Sequence, residues 1–362
     1  MIFRFITATF ILVSAASAAA GVVVDRSEHT QKISALEGRV SAIQNKADGG
    51  DSAGLIKTLK DVNRDSTLDI AIRDYLLEET ILALSATTPG PDERQVVQQF
   101  LGRPVETFVR LDDEHGSAVV PMYDLAAASR LTLRVWDTAI AKAVVAGRIR
   151  AGQWQPVNAL NPRDEIPADA WQAGTIFALE TAEITSLAAQ KSALLESQKL
   201  SSQIDPLIHV AARRTGDADL YRAVILNGNL NDARAAIATV GENGPQSYSE
   251  ILIAATDREE LASSAILELG AKASMDPDIY RWLLRRLAHP SDGASAALAL
   301  ARELNNEILT DLRIIILGNQ SELTKLRAAL VLRMSELPSA HSLRLELQSE
   351  SLLSEQLRGA LQ

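Results

Sequence analysis

The chain has 362 residues, enough to enclose a sizeable apolar interior as two ordinary domains or one elongated array. Hydrophobic residues make up 47% and charged residues 23%, which argues against disorder; 19 Gly, 12 Pro and 4% aromatics favour helices over a sandwich of many short strands. A net charge of −10 with no long Lys/Arg run argues against nucleic acid as a partner, and the absence of cysteine excludes disulfides, thiolate nucleophiles, Cys-ligated zinc and a lipidated bacterial anchor.

Residues 1–20, MIFRFITATFILVSAASAAA, join an early Arg4 to an apolar run and small-residue A-x-A sites, the layout of a secretory signal. The apolar run also extends through residues 5–24, long enough for a membrane anchor. Both readings place the rest of the chain outside the cytoplasm, in the periplasm or beyond, and membrane contact is expected only if this segment is retained. Residues 21–54 read as a short helix and a Gly-rich linker. Within them Ile33, Leu36, Val40 and Ile43 form a heptad-like seam that either pairs with another copy or packs on its own chain.

GDSAG at 50–54 matches G-x-S-x-G, but the helical spacing before it is wrong for a nucleophile elbow, and a linker in which Asp51 or Ser52 caps the next helix is the simpler reading. Residues 55–150 form an N-terminal helical region with Leu68, Ile72, Leu76, Val96, Val97 and Phe100 at helical spacing. In it, LDDEHG (111–116) gathers Asp112, Asp113, Glu114 and His115, either a divalent-ion site completed from elsewhere or a solvated polar turn. PMYDLAAASRLTLRVWDTAIAKAVVAG (121–147) opens on Pro and closes on Gly and reads as one long helix or two. Residues 151–169 hold three prolines and form a connection. The other histidines, His29, His209, His289 and His341, are scattered and read as surface or boundary residues; no metal motif, Gly-rich phosphate loop or cofactor site is expected.

Residues 170–362 carry a repeat. SSAILELG (263–270), SAALALAR (295–302) and RAALVLRM (327–334) align at an offset of 32, superposing Ala265, Ala297 and Ala329, with Ala233 one unit earlier. Ile251, Leu283, Ile315 and Leu347 form a second column, Leu252, Leu284 and Ile316 a third, and Tyr248 and Pro245 fall over Tyr280 and Pro277. A helix pair this short cannot bury enough apolar surface to order itself, so each must cover the next. Small side chains are needed where helix backbones come closest.

On DPDIYRWLLRRL followed by GASAALALAREL, and NEILTDLRIIILG followed by LTKLRAALVLRM, the sequence resembles the HEAT-like α-α superhelix repeat families, most clearly over residues 205–362. The resemblance implies an all-α, right-handed α-solenoid of stacked antiparallel helix pairs, and a binding scaffold rather than a catalyst. The expected function is therefore a noncatalytic exported scaffold for protein or peptide partners in the bacterial cell envelope. The alternatives are a cell-wall-acting enzyme with a lytic-transglycosylase-like superhelix, or a membrane-anchored assembly factor pairing through residues 30–45. The expected partner face carries Arg281, Arg285 and Arg313, with Arg281 and Arg313 at one repeat position; they meet a carboxylate-bearing partner, or are simply exposed arginines beside a core Trp282.

Overall fold

The computed structural model describes residues 21–113, 116–159, 166–243, 247–272, 276–351 and 353–362. The expected signal, residues 1–20, lies outside them, as do Glu114, His115 and Pro245. Among the described residues no helix is long and apolar enough to cross a membrane. The described residues are mostly helical with one small three-stranded sheet, and the chain divides into two compact units between Ile140 and Ala141.

The first unit contains β1 (Val22–Val24), α1 (Arg26–Ser34), α2 (Glu37–Asp48), α3 (Ser52–Arg64), α4 (Ile70–Leu84), α5 (Pro91–Gln98), β2 (Thr107–Asp113), β3 (Gly116–Pro121) and the first turns of α6 (Leu125–Arg150). Helix α4 is its centre: Ala71, Ile72, Leu76, Leu77, Ile81, Ala83 and Leu84 are all buried, so apolar side chains surround the helix rather than forming one stripe. Two side chains of α6 satisfy carbonyls at the end of α4, Thr132 Oγ1 donating to Ile81 O at 2.8 Å and Trp136 Nε1 to Leu84 O at 3.0 Å. The Ile33–Ile43 seam is covered within this unit: Ile43 is buried, and Ile33, Leu36 and Val40 pack on the same core.

The sheet corrects the all-helical reading of this region. β1 runs parallel to β2, with Val22 opposite Thr107 and Val24 opposite Val109; β3 is antiparallel to β2, with Val109 opposite Val120 and Asp113 opposite Gly116. Thr107 and Val109 point inward from β2 while Arg110, Leu111 and Asp112 are exposed, so only two positions carry the period-2 signal. The Val22–Val24 end of the apolar amino-terminal run is thus sheet, and Pro121 ends β3 instead of opening a helix. From Leu125 onward the helix is single and 26 residues long.

The second unit begins with the last turns of α6, which end at a left-handed Gly152 (φ 66°), followed by a 3-10 turn at Pro156–Ala159. Then come α7 (Ala168–Thr181), α8 (Ile184–Ala188), α9 (Lys191–Gln198), α10 (Asp205–Thr215), α11 (Ala218–Asn227) and α12 (Leu230–Asn243). The chain continues through α13 (Tyr248–Ala255), α14 (Glu259–Gly270), α15 (Pro277–Arg286), α16 (Gly293–Arg302), α17 (Asn306–Leu317), α18 (Glu322–Met334), α19 (Pro338–Gln348) and α20 (Glu355–Ala360). Starts are set by side-chain caps: Asp217, Asp276, Asn305, Ser321 and Ser354 each accept from a backbone N–H in the first turn.

Packing follows the order of the chain. α10 rests on α12, α12 on α14, α14 on α16, α16 on α18 and α18 on α20, while α11, α13, α15, α17 and α19 each pack against a sequence neighbour. Ala233, Ala265, Ala297 and Ala329 are all fully buried in the first of these rows. The other columns are less regular: Ile251, Leu283 and Leu347 are buried but Ile315 is only partly so, and Ile316 takes the core position in α17. Helices α13, α15, α17 and α19, which carry these columns, start at 248, 277, 306 and 338, spacings of 29, 29 and 32 residues, so a column drawn at a constant 32 moves along the helix from one pair to the next.

Candidate functional site

Helix α15 is strongly one-sided. Asp276 caps it, accepting from Asp278 N at 2.9 Å; Ile279, Tyr280 and Leu283 are buried, while Arg281 and Arg285 are exposed. Tyr280 is fixed by Glu307 in the first turn of α17, its Oη donating to Oε1 at 2.6 Å, and that bond holds the phenol proton on and raises the tyrosine pKa.

The three arginines of the expected partner face differ in what they already touch. Arg281 lies 3.3 Å from Asp278 Oδ1, with its guanidinium 5.9 Å from the Tyr280 ring centre. Arg313 on α17 reaches Glu346 Oε1 on α19 at 2.6 Å. Arg285 has no carboxylate within salt-bridge distance among the described residues. The Arg313 pair is about half exposed and the Arg281 pair more so, so each contributes little to stability and remains open to exchange with an incoming carboxylate.

Trp282 is partly buried against the core, and the Arg286 guanidinium sits 5.3 Å from its ring centre. Arg286 is anchored from behind: Nε and Nη2 donate to Asp292 Oδ2 at 3.1 and 2.7 Å. Burial works against the Asp292 charge, but hydrogen bonds from Ser291 and Arg286, with the charge of Arg286, outweigh it and hold the carboxyl below its ordinary range. His289 Nδ1 faces the same oxygen at 3.0 Å. Together Trp282, Arg285, Arg286, Ala288, His289 and Pro290 line a cavity of about 390 Å³. It offers an aromatic wall and, in Arg285, a guanidinium with no ion-pair partner among the described residues.

A second polar concentration, invisible in the sequence reading, is buried in the first unit. His29 is buried, not superficial, and its Nε2 lies 2.7 Å from Tyr123 Oη. Burial is the main cause of the lowered His29 pKa and of the raised pKa of Tyr123. One turn apart on α4, Asp74 accepts from Thr107 Oγ1 at 2.8 Å and Glu78 accepts from Asp124 N at 3.1 Å; burial pushes both carboxyls up. Arg103 lies 3.7 Å from Asp74 Oδ1. The trace of this cluster in the sequence is a pair of acids, Asp74 and Glu78, four residues apart on a helix whose buried positions are mostly apolar.

The remaining motifs resolve locally. Asp51 caps α3 by accepting from Gly54 N at 2.9 Å, and a Cβ at Gly54 would collide with that carboxylate; Ser52 Oγ has Glu93, 3.5 Å away, as its partner rather than a histidine. Asp112 and Asp113 stand at the far end of the β2–β3 ladder. Among the described residues no group of three or more His, Asp or Glu side chains is placed to hold a metal ion. No family model, curated protein or solved structure matches the chain.

Proposed function

We propose that the chain is a noncatalytic, exported α-solenoid, HEAT-like in the piling of its helix pairs, that binds protein or peptide partners in the cell envelope. The observation that carries this reading is the succession α10, α12, α14, α16, α18 and α20, each resting on the next, with Ala233, Ala265, Ala297 and Ala329 buried in α12, α14, α16 and α18. Helices stacked this way satisfy one another's apolar faces and leave a long outer surface, which is the form extended partners need. Export rests on the composition of residues 1–20.

Two measurements test the proposal. Mass spectrometry of the amino terminus after expression in a bacterial host should find a chain beginning after the small-residue sites and located in the envelope fraction. Photo-crosslinking from exposed positions of α15 and α17 in intact cells should then trap a discrete protein in near-stoichiometric amount. Cell-wall degradation by the purified chain, abolished by a single carboxylate substitution, would replace the scaffold reading with the enzyme one. A cytoplasmic, uncleaved chain would remove the envelope assignment.

A further inference from the structure

We infer that the cavity at the end of α15 is a docking pocket for an acidic peptide segment of a partner protein, with Arg285 receiving a side-chain carboxylate and Trp282 packing against the aliphatic part of the same segment. The inference rests on the scaffold reading and adds to it a position and a ligand chemistry.

Charge complementarity selects the occupant. The chain as a whole carries −10, yet α15 holds Arg281, Arg285 and Arg286 against the single acid Asp278. Within the pocket the nearby acid is already spent, because Asp292 is nearly buried and takes both hydrogen bonds of Arg286 on one oxygen and Ser291 on the other. Arg286 is thereby fixed as a wall over Trp282, and Arg285 is left with an uncommitted fork. A planar guanidinium beside an aromatic ring suits a Glu or Asp flanked by apolar side chains: the fork takes two parallel hydrogen bonds to the carboxylate, and the ring takes the hydrocarbon. A basic segment would be repelled, and a purely apolar one would leave Arg285 desolvated without a partner.

Trp282 supplies its own reporter, since Trp136, Trp154 and Trp171 are all buried and only Trp282 borders the cavity. The probe is a short synthetic peptide alternating Glu and Leu, titrated into the full mature protein while tryptophan emission is followed, with fluorescence anisotropy of the labelled peptide as a second readout. The expected result is a saturable emission change that disappears in Trp282→Phe, together with affinity lowered about tenfold or more in Arg285→Glu and for the matching Gln/Leu peptide, as loss of one charged hydrogen-bonded contact requires. Arg285 is exposed, so Arg285→Glu should keep its helical circular dichroism.

Absence of peptide binding overturns the inference. So does equal affinity of Arg285→Glu or of the Gln/Leu peptide, and so does an identical emission change produced by inorganic phosphate, which would mark a generic anion site. The scaffold reading fails separately: if crosslinking traps no envelope protein, that reading falls whatever the peptide does. If a partner is trapped equally by the wild type and by Arg285→Glu, only the pocket assignment is lost.

Discussion

Gly270, the last residue of α14, sits where a Cβ would lie 2.7 Å from Ala299 Cβ and 3.0 Å from Ala299 Cα. The obstruction is the neighbouring helix itself, so no flexible side chain can move aside. Gly to Ala inside a helix ordinarily gains up to about 1 kcal/mol from reduced unfolded-state freedom. Here overpacking costs about 1–3 kcal/mol and should reverse the sign. Gly270→Ala is therefore expected to lower the urea midpoint, while Gly147→Ala in α6, with open space around the new methyl, should raise it. A stabilised Gly270→Ala protein would contradict the close approach of α14 and α16. His29 gives a pH-dependent counterpart. Burial lowers its folded pKa below the ordinary 6.5, while Asp69 opposes that shift and Lys32 adds to it. The unfolded chain then binds a proton more readily, so this contribution to stability is complete above pH 6.5 and is lost as pH falls from 6.5 through the lowered folded value. His29→Gln can keep a hydrogen bond to Tyr123 and should flatten the fall in denaturation midpoint on that acid side. His209, also lowered by burial, will leave part of the slope in place. Asp74 and Glu78 act with the opposite sign: their raised pKa values favour the folded state when protonated, and that advantage disappears as pH rises through their folded values.

The same close packing governs the helix GASAALALAR, where Ala296, Ala297, Ala299 and Ala301 are buried and α16 lies between α14 and α18. Ala297→Leu should cost about 1–3 kcal/mol by overpacking, read as a lowered thermal or urea midpoint. An unchanged midpoint would mean that the alanines are not where the helices meet. This contact was legible in the sequence because the requirement for small side chains recurs at the same place in each pair and so survives as a column at a 32-residue offset. The aliphatic columns were less legible, since a one-position rotation exchanges Ile315 for Ile316 without changing the composition of the helix. The sheet was illegible for a different reason. β1 has only three residues and finds its partner in β2, far along the chain, and β2 turns only Thr107 and Val109 inward, too few for an alternation to stand out. His29 likewise is buried through Tyr123, 94 residues away, a relation that no local pattern carries. At the candidate partner face, the exposure of Arg281 and Arg313 follows from helical spacing, and so does the Asp278 pair; the Glu346 pair depends on how α19 meets α17.

At the scale of the molecule, the second unit is held by short-range links repeated along the chain. Orphan carbonyls at helix ends are taken up by arginines from later in the chain. Arg214 Nη2 donates to Ala182 O at 3.1 Å, Arg258 Nη1 to Ile225 O at 2.7 Å, and Arg327 to Leu287 O and His289 O at 2.8 and 2.6 Å and to Pro290 O at 2.9 Å. Ser295 and Ser263, at equivalent places in adjacent pairs, are joined at 3.0 Å. Contacts of this kind tie each pair to the next, so a local injury should weaken with distance along the row instead of spreading evenly. Leu357 in α20 is buried and belongs to the helix that covers α18. Leu357→Ala removes about 2–5 kcal/mol of packing at that end. Amide hydrogen exchange should therefore lose protection in α18, α19 and α20, lose less in α16, and remain at wild-type levels in α10 and α12. An equal loss of protection across all these helices would require a single cooperative core, and the neighbour-by-neighbour account of the unit would have to be abandoned.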